Sequence, residues 1–555
     1  MLQSKLMLSH RFLFGTVFSK TLIQRAAIVT FCLVLFGCRR HETAVDAGLR
    51  TQTLLLGNGA EPADLDPALI VAWNDSNIAY ALFEGLTWID ERTTQPIPAA
   101  ALNWDVSTDG RVYTFHLRPT GRWSNGDPVT AADFVYAYRR MLTPSFGAQY
   151  SYMLWAIKNA EAYNEGKLTD FSQVGVKALD ALTLQVTLEQ PTPYLPALAA
   201  HSTWLPVHQA TVEKYGRFDQ RDSAWTRPGN LVGNGPFVLK AWIPNGKVVV
   251  EKNPQYYDSA RVRLNRIEFF PMEDHQAEES AFRAGQLHVT YGLPYASISR
   301  VRREQPGTLQ SDALLSSFYL FFNVRRAPFD NPKLRRALSL AVDRDTIAKN
   351  VLLGAQQAAA SFTPPDCGGY TPRASVPTDL ALAKKLLAEA GYPDGRGLPT
   401  IEVLSYQTES FVHVLEVIQA EWAKNLGIHI TITPQELKML FRNQHEGNFA
   451  LAGASWIADY PDPLTFLGIM VSGGGNNWPG WSDKTFDELL KKAGQTSDPA
   501  QRFEYFQQSE ARLLDQAPLI PLFFETQNYL KQPTVRGWIP SKLNYHRFKD
   551  LWLEK

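Results

Sequence analysis

A mixed α/β protein of two or three lobes is predicted by three features of the sequence. The chain has 555 residues, which is more than one hydrophobic core usually supports. Apolar residues make up 45% of it and charged residues 20%, as in ordinary folded proteins. In its second half, segments with helical periodicity alternate with short strand-like segments, and no internal repeat or low-complexity segment occurs.

The first predicted elements lie between residues 54 and 142. Residues 54–67 read as a strand that runs into a Gly- and Pro-rich loop. VYTFHL (112–117) alternates apolar and polar side chains, which is typical of a half-buried strand. Residues 130–142 predict a helix, because Thr130 and Asp133 resemble a capping box before an apolar run.

Later segments continue the alternation. Residues 178–188 and 247–252 are predicted strands. Residues 377–395 predict an amphipathic helix capped by Thr378, and residues 422–434 predict the end of a helix followed by a strand. The leucines that form the stripe of the amphipathic helix are Leu382, Leu386 and Leu387.

The N-terminus predicts export. AAIVTFCLVLFG (26–37) is an apolar run that follows two basic residues and ends at Cys38. The run is too short to span a bilayer but suits the core of a signal peptide. Leu-Phe-Gly-Cys resembles a bacterial lipobox, so we predict a lipoprotein signal peptide over residues 1–37 and a lipid on Cys38. The alternative is an ordinary export signal that contains a cysteine.

Composition and motifs exclude several classes of function. Lys plus Arg equals Asp plus Glu, at 55 each, so the chain has no basic field for nucleic acid. Only Cys367 would remain after processing and lipidation, so a disulfide within the chain or a cysteine metal site is not expected. No HExxH, GxSxG, Walker or GxGxxG motif occurs, and the 11 histidines are scattered. We therefore predict no enzyme activity, no metal and no cofactor.

Asp459 raises the question of its partner. It follows the near-apolar stretch 449–458 and precedes a Pro-Asp-Pro turn within SWIADYPDP (455–463). A carboxylate at the end of a buried strand needs a positive partner. From the residues alone, a neighbouring Lys or Arg, a metal, a proton and a ligand all remain open.

Eight segments of the sequence are informative when taken together. They are LFEGLTWID (82–90), YTFHLR (113–118), RWSNGDPVTAADFVYAYRR (122–140), NGPFVLKAW (234–242), EKNPQYYD (251–258), FFNVRRAPFDNPKLRRALSLAVDRDTI (321–347), AEAGYPDG (388–395) and WAKNLGI (422–428). Together they resemble the dipeptide- and oligopeptide-binding group, family 5, of bacterial extracellular solute-binding proteins, and they occur in the order found in that family, from about residue 54 to the end of the chain. Within the group, residues 452–466 are most similar to periplasmic oligopeptide-binding proteins.

This resemblance implies a two-lobed, three-domain periplasmic-binding-protein fold (type II-like) with an inserted extra domain. Two crossover strands would form the hinge between domains I and III, and ligand would be enclosed as the lobes close. The implied boundaries are a tether over 38–52, domain I over 53–74, 206–315 and 527–555, domain II over 75–205, and domain III over 316–526.

The resemblance also implies the binding residues. Asp459 of the W-x-A-D-Y element would bind the α-ammonium of a peptide. The backbone of Ser455, Trp456 and Ile457 would pair with the peptide as an added strand. Glu61 would offer backbone groups from the opposite side. Trp456 and Tyr319 are candidate walls of the pocket, although both suit a core equally well.

The sequence departs from the family pattern at the far end of the ligand. Ile457 and Ser316 stand where the best-studied members have a disulfide. Gly453 and Phe411 stand where those members have an arginine and a histidine for the ligand carboxylate. His445 or Arg442 could substitute, and the preferred peptide length does not carry over.

The predicted function is a monomeric, lipid-anchored solute-binding protein that delivers oligopeptides to the permease of an ABC importer. It would lie on the periplasmic or extracytoplasmic face of a bacterial envelope, touching the membrane only through its lipid. The alternatives are the same fold binding a dipeptide, a cell-wall peptide, a metal chelate or a sugar, and a sensor lobe that reports to a partner.

Overall fold

The computed structural model describes residues 42–555, apart from residue 497 and the side chain of residue 409. The predicted signal peptide, residues 1–37, and the predicted lipid site Cys38 lie outside the described residues. The strands are, in chain order, β1 (Thr53–Gly57), β2 (Thr87–Ile89), β3 (Pro96–Pro98), β4 (Ala101–Val106), β5 (Val112–Leu117), β6 (Val176–Ala178), β7 (Thr183–Thr187), β8 (Phe237–Ile243), β9 (Lys247–Lys252), β10 (Arg266–Phe270), β11 (Leu309–Phe322), β12 (Gln357–Ala358), β13 (Ile401–Tyr406), β14 (Ile430–Gln435), β15 (Leu451–Ile457), β16 (Leu519–Leu530), β17 (Val535–Arg536) and β18 (Trp552–Leu553). The α-helices are Ala44–Thr51, Trp73–Leu82, Ala131–Leu142, Ala160–Asn164, Leu195–Leu198, Gln209–Tyr215, His275–Arg283, Tyr295–Glu304, Pro332–Leu340, Arg344–Thr346, Leu380–Glu389, Glu409–Leu426, Leu437–Glu446, Leu464–Leu467, Lys484–Gln495 and Pro499–Gln516.

Three large sheets organise the described part of the chain. One has the strand order β1-β10-β9-β8 and another the order β4-β5-β7-β6. The largest has six strands in the order β12-β16-β11-β15-β13-β14. The first two lie within the segments predicted for domains I and II. Most of the third lies within the segment predicted for domain III, although the boundaries themselves stay predictions.

Strands β11 and β16 are long neighbouring strands that pair with each other in two separate stretches. Their first paired stretch joins residues 309–313 to residues 526–530, and their second joins residues 317–321 to residues 519–524. The register breaks between Ala313 and Ser317. Leu309 packs near the core cluster of β1 and the helix Tyr295–Glu304, whereas Phe318 packs inside the six-stranded sheet's own core. These are two strands that cross between the predicted domains I and III.

The distribution of buried apolar residues divides the fold into two lobes. A single core cluster joins both four-stranded sheets and includes Leu54, Phe115 and Phe237. The six-stranded sheet instead carries a core on each face. Phe318 lies on the face that packs against the helix Glu409–Leu426, and Tyr319 lies on the opposite face. The two-lobed α/β fold predicted above is therefore present.

Two predicted strands and one predicted helix are confirmed by the structure. VYTFHL forms β5 over the predicted residues, with alternate side chains buried, and KVVVEK forms β9. Thr130 and Asp133 form the predicted capping box of the helix Ala131–Leu142. The Asp133 Oδ2 accepts hydrogen bonds from the backbone N–H of Thr130 at 2.8 Å and from the Thr130 hydroxyl at 2.9 Å. Local pattern was sufficient at these sites.

Three local predictions were wrong. Residues 178–188 form a hairpin of β6 and β7, because Asp180 accepts the backbone N–H of Leu182 and turns the chain. Asp379, not Thr378, caps the helix Leu380–Glu389 through the N–H of Leu382 at 2.9 Å, while the Thr378 hydroxyl donates to a backbone carbonyl. Within the predicted tether, residues 44–51 are helical.

Candidate functional site

Strand β15 carries the SWIADY segment out of the protein core. It lies between β11 and β13 in the six-stranded sheet. Residues 451–454 are buried, Ser455 and Trp456 are half-buried, and the Ile457 side chain is 38% exposed. A central strand that emerges in this way presents its last residues, side chain and backbone, to a space outside the sheet.

That space consists of two cavities between the lobes. The larger has a volume of about 470 Å³ and is lined on one side by residues 455–459. Its other side is formed by residues 70–74 and Ser76, with the tyrosines and His201 of the first lobe. The smaller has a volume of about 400 Å³ and extends toward residues 464–476. Trp456 and Asp459 line both cavities, so together they form one cleft.

Asp459 has no cation partner among the described residues. Its backbone N–H donates to the hydroxyl of Thr465 at 3.3 Å, and its carboxylate makes no ion pair with the described part of the chain. Burial raises the pKa of the Asp459 carboxyl to about 6. Burial also raises the pKa of the nearby Tyr150 and Tyr152 hydroxyls, and the charge of Asp459 raises it further. Among the described residues, 42–555 without 497, Asp459 therefore has no permanent internal salt bridge, which was one of the alternatives above.

Asp462 has the structural role that Asp459 lacks. Its two carboxylate oxygens bind the two terminal nitrogens of Arg502 at 2.6 and 2.8 Å. The same carboxylate accepts the backbone N–H of Leu464 at 3.0 Å and holds the turn. The two acids of the ADYPD segment therefore differ, because one is satisfied inside the protein and the other faces the cleft.

Asp459 is expected to destabilise the ligand-free protein above about pH 6. Its folded-state pKa of about 6 exceeds the ordinary value of 3.8. Between these values the native state binds more protons than the unfolded state, so the free energy of unfolding falls as pH rises. We expect Asp459→Asn to raise the urea midpoint near pH 8 and to lose most of that advantage near pH 4, measured by fluorescence. Equal midpoints for variant and parent at both pH values would contradict this.

Of the other predicted binding residues, three line the larger cavity, whereas Tyr319 and Glu61 line neither cavity. Ser455, Trp456 and Ile457 line the larger cavity. The indole Nε1 of Trp456 is buried without a hydrogen-bond partner in the described chain. Tyr319 is only 2% exposed and packs edge-on against Phe362, so its side chain belongs to the core and not to the cavity wall. The difference follows from the alternation of side chains along a strand and from where each strand leaves the core.

Glu61 lies outside both cavities. Its carboxylate accepts hydrogen bonds from the indole N–H of Trp242 at 2.7 Å and from the backbone N–H of Asn245 at 3.0 Å. The side chain therefore fastens the loop after β1 to the hairpin of β8 and β9. The predicted backbone role of Glu61 toward a ligand stays a prediction.

The sequence analysis missed an aromatic wall on the first lobe. These side chains come from loops and helices distant in sequence, and only the fold brings them together. The lining rings are Tyr80, Tyr150, Tyr152, His201, Tyr291 and Tyr545. His201 stacks on Tyr150 with ring centroids 6.2 Å apart. The only signal in the sequence was an aromatic content of 12%.

The resemblance implied groups for the ligand carboxylate at Gly453 and Phe411, and the described side chains around these positions are aromatic instead of cationic. Phe411 stacks on Phe318 with centroids 4.1 Å apart, and a side chain at Gly453 would point at the Phe318 ring. His445 and Arg442, the suggested substitutes, are exposed on a helix and line neither cavity. Ser316 and Ile457 lie directly opposite each other across β11 and β15, where the resemblance implied a disulfide in other proteins.

Comparison with known proteins identifies one family. A model of the bacterial extracellular solute-binding proteins, family 5, matches residues 95–478. The periplasmic oligopeptide-binding protein OppA of Salmonella typhimurium is 35% identical over 501 residues, covering 88% of this chain and 90% of its own. Among solved structures, the Escherichia coli murein tripeptide binding protein MppA superposes with a TM-score of 0.76 at 32% identity, over 91% of this chain and 98% of its own. Haemophilus influenzae OppA in complex with RPPGFSPFR gives 0.74 at 31% identity, over 91% and 99%.

Proposed function

Because the chain belongs to family 5 of the bacterial extracellular solute-binding proteins, we propose that it captures oligopeptides for an ABC importer, with the peptide α-ammonium held by Asp459. Proteins of this family bind solutes, and the chain is a binding protein and not an enzyme. Its relatives include proteins named for oligopeptides, dipeptides and murein peptides.

One observation supports the role of Asp459 most strongly. Its carboxylate borders both cavities, its pKa is raised by burial, and the described residues supply no cation for it. An ammonium group would supply the missing charge. In a closed cleft with little water, such a charge-assisted hydrogen bond is stronger than a neutral one.

The peptide backbone would pair with the end of β15. The main chain of Ser455, Trp456 and Ile457 borders the larger cavity, and strand addition of this kind gives affinity without reading side chains. The unpartnered indole N–H of Trp456 offers a further donor for a peptide carbonyl. Closure of the two lobes about β11 and β16 would enclose the ligand, since contacts made only in the closed state drive such motions.

The proposal includes the position of the protein in the cell. Residues 1–37 would be removed, and a lipid on Cys38 would hold the protein at the membrane on the extracytoplasmic side, next to its permease. The apolar run before Cys38 carries this part of the proposal. None of the described helices is both long enough and apolar enough to cross a membrane.

Calorimetry on the purified protein, freed of bound ligand by unfolding and refolding, tests the proposal. Peptides of three to eight residues are titrated first with a free N-terminus and then N-acetylated. We expect the free peptides to bind and acetylation to abolish most of the affinity, because acetylation removes the charge that Asp459 would bind.

Other outcomes are equally informative. Equal binding of acetylated peptides would remove Asp459 from its role and retain the peptide. If neither set binds, oligopeptides are not the ligand. The murein peptide class would then be tested first, since a murein tripeptide binding protein is among the similar structures.

A further inference from the structure

A second acid, Glu525, lies beside the cleft on β16. It stands where the pairing of β16 with β11 is interrupted, next to Phe524 and opposite the break between Ala313 and Ser317. Its side chain is half-buried. Like Asp459, it makes no ion pair with any described residue.

The two oxygens of the Glu525 carboxylate are in different situations. Oε2 accepts hydrogen bonds from the hydroxyl of Ser455, at 2.5 Å, and from the hydroxyl of Ser316. No described residue donates to Oε1, and that atom is not buried. A carboxylate offers about four acceptor positions, so the outer oxygen is free to receive donors from a ligand.

Glu525 itself lines neither cavity, and it is linked to the larger one through Ser455. Ser455, its hydrogen-bond partner, lines the larger cavity. Burial raises the pKa of the Tyr295 and Tyr406 hydroxyls, and the nearby charge of Glu525 adds a smaller contribution in the same direction. Tyr406 in turn lies 5.3 Å from Phe411, measured between ring centroids. The surroundings of Glu525 are therefore one negative charge, hydroxyl groups and aromatic rings.

This environment suits a cation. A Lys or Arg side chain would gain a charge-assisted bond to Oε1 and a favourable contact with the faces of the neighbouring rings. A carboxylate of the ligand would instead be repelled. The stacked Phe411 and Phe318 beyond Tyr406 offer no positive charge to a carboxylate either.

The spacing of the two acids indicates which ligand residue is involved. Ser455 precedes Asp459 by four residues, which is at most roughly 13 Å of extended chain at about 3.3 Å per residue. A peptide that pairs with this strand rises by the same amount per residue. With the ammonium at Asp459, about 13 Å would reach the fifth residue at most. Because β15 ends at Ile457 and the chain leaves the strand before Asp459, the distance is shorter, and the third or fourth residue of the peptide would lie near Glu525.

We propose that Glu525 selects peptides with a Lys or Arg side chain at the third or fourth position, by binding that side chain through its outer carboxylate oxygen. This inference rests on the proposed function, since it uses Asp459 as the fixed end of the peptide. The competing explanation is that Glu525 only braces Ser316 and Ser455 at the break in the strand pair.

The test compares lysine with norleucine, which has a similar chain without the charge. Tetra-alanine peptides carrying either residue at position 2, 3 or 4, all with a C-terminal amide, are titrated calorimetrically. The parent protein is expected to prefer lysine by about tenfold at position 3 or 4 and not at position 2, a size typical of one hydrogen bond to a charged group. In Glu525→Gln the lysine and norleucine peptides are expected to bind equally, because the negative charge is removed. The amide oxygen can still accept the hydrogen bonds of the two serine hydroxyls.

Glu421→Gln is the matched control. Glu421 is another half-buried acid of the same lobe, on the helix Glu409–Leu426, where its carboxylate accepts the N–H of Asp343 at 3.2 Å. This variant loses the same charge away from the cleft and should keep the lysine preference. Equal binding of lysine and norleucine peptides by the parent would overturn the inference about Glu525 alone. Failure of every free-amine peptide to bind would overturn the proposed function as well.

Discussion

Asp459→Asn is expected to weaken the binding of a free-amine oligopeptide by roughly 30- to 5,000-fold, because removing one partner of a desolvated charge pair costs about 2–5 kcal/mol. The amide keeps the size of the carboxylate and removes only its charge. The loss should therefore come from the ammonium contact and not from repacking. Calorimetry, or displacement of a fluorescent peptide where affinity is too low for calorimetry, measures the change.

The control separates this local effect from a change in overall charge. Asp345 is an exposed acid of the same lobe that borders neither cavity, and Asp345→Asn should bind peptides as the parent does. N-acetylated peptides should bind the parent and Asp459→Asn equally weakly. If Asp459→Asn lost affinity for acetylated peptides by the same factor as for free ones, the carboxylate would not be the ammonium site.

Asp459 could be singled out from the sequence because its signal is local, while its role toward a ligand stays a proposal. An acid at the end of an apolar strand, followed by a Pro-Asp-Pro turn, is unusual in any sequence. The structure adds what the sequence could not show, namely that Arg502 forms its ion pair with Asp462 and not with Asp459. Which of two neighbouring acids is satisfied internally depends on a helix 40 residues away, and no local pattern encodes that.

The aromatic wall and Glu525 could not be predicted for a related reason. Tyr150, Tyr152 and His201 come from the first lobe and meet β15 only across the cleft. Glu525 follows the apolar run 519–524 and precedes Thr526 and Gln527, so the sequence around it resembles an ordinary strand end. Its position became informative only through the interrupted pairing of β11 and β16, which is a property of two strands separated by about 200 residues of chain.

The wrong prediction of the helix cap at Thr378 also arose from a contact with a residue distant in sequence. Thr378 and Asp379 are adjacent and both can cap a helix. The choice is made by Val342, whose carbonyl accepts the Thr378 hydroxyl and leaves Asp379 to cap. Similarly, Trp456 and Tyr319 are aromatic residues on neighbouring strands. Only the one at the emerging end of its strand lines the cleft.

Arg502→Met is expected to lower the free energy of unfolding by about 3–5 kcal/mol, because it leaves the buried carboxylate of Asp462 without its partner. The two side chains are only 7% and 8% exposed, and they meet through two hydrogen bonds. The Arg502 guanidinium also lies 4.7 Å from the centroid of the Phe506 ring. Urea unfolding followed by tryptophan fluorescence at neutral pH measures the loss.

Two further variants show whether the loss comes from the uncompensated charge. Adding Asp462→Asn to Arg502→Met removes that charge, and the double variant should recover part of the lost free energy, as buried pairs replaced together often do. Arg396→Met, in the exposed pair of Arg396 with Asp394, should change the free energy of unfolding by at most about 1 kcal/mol. Equal effects of Arg502→Met and Arg396→Met would show that the buried pair contributes no more than an exposed one. Asp462 lies three residues from Asp459, and its carboxylate also accepts the backbone N–H of Leu464, so the pair belongs to the turn from which the cleft-facing carboxylate projects.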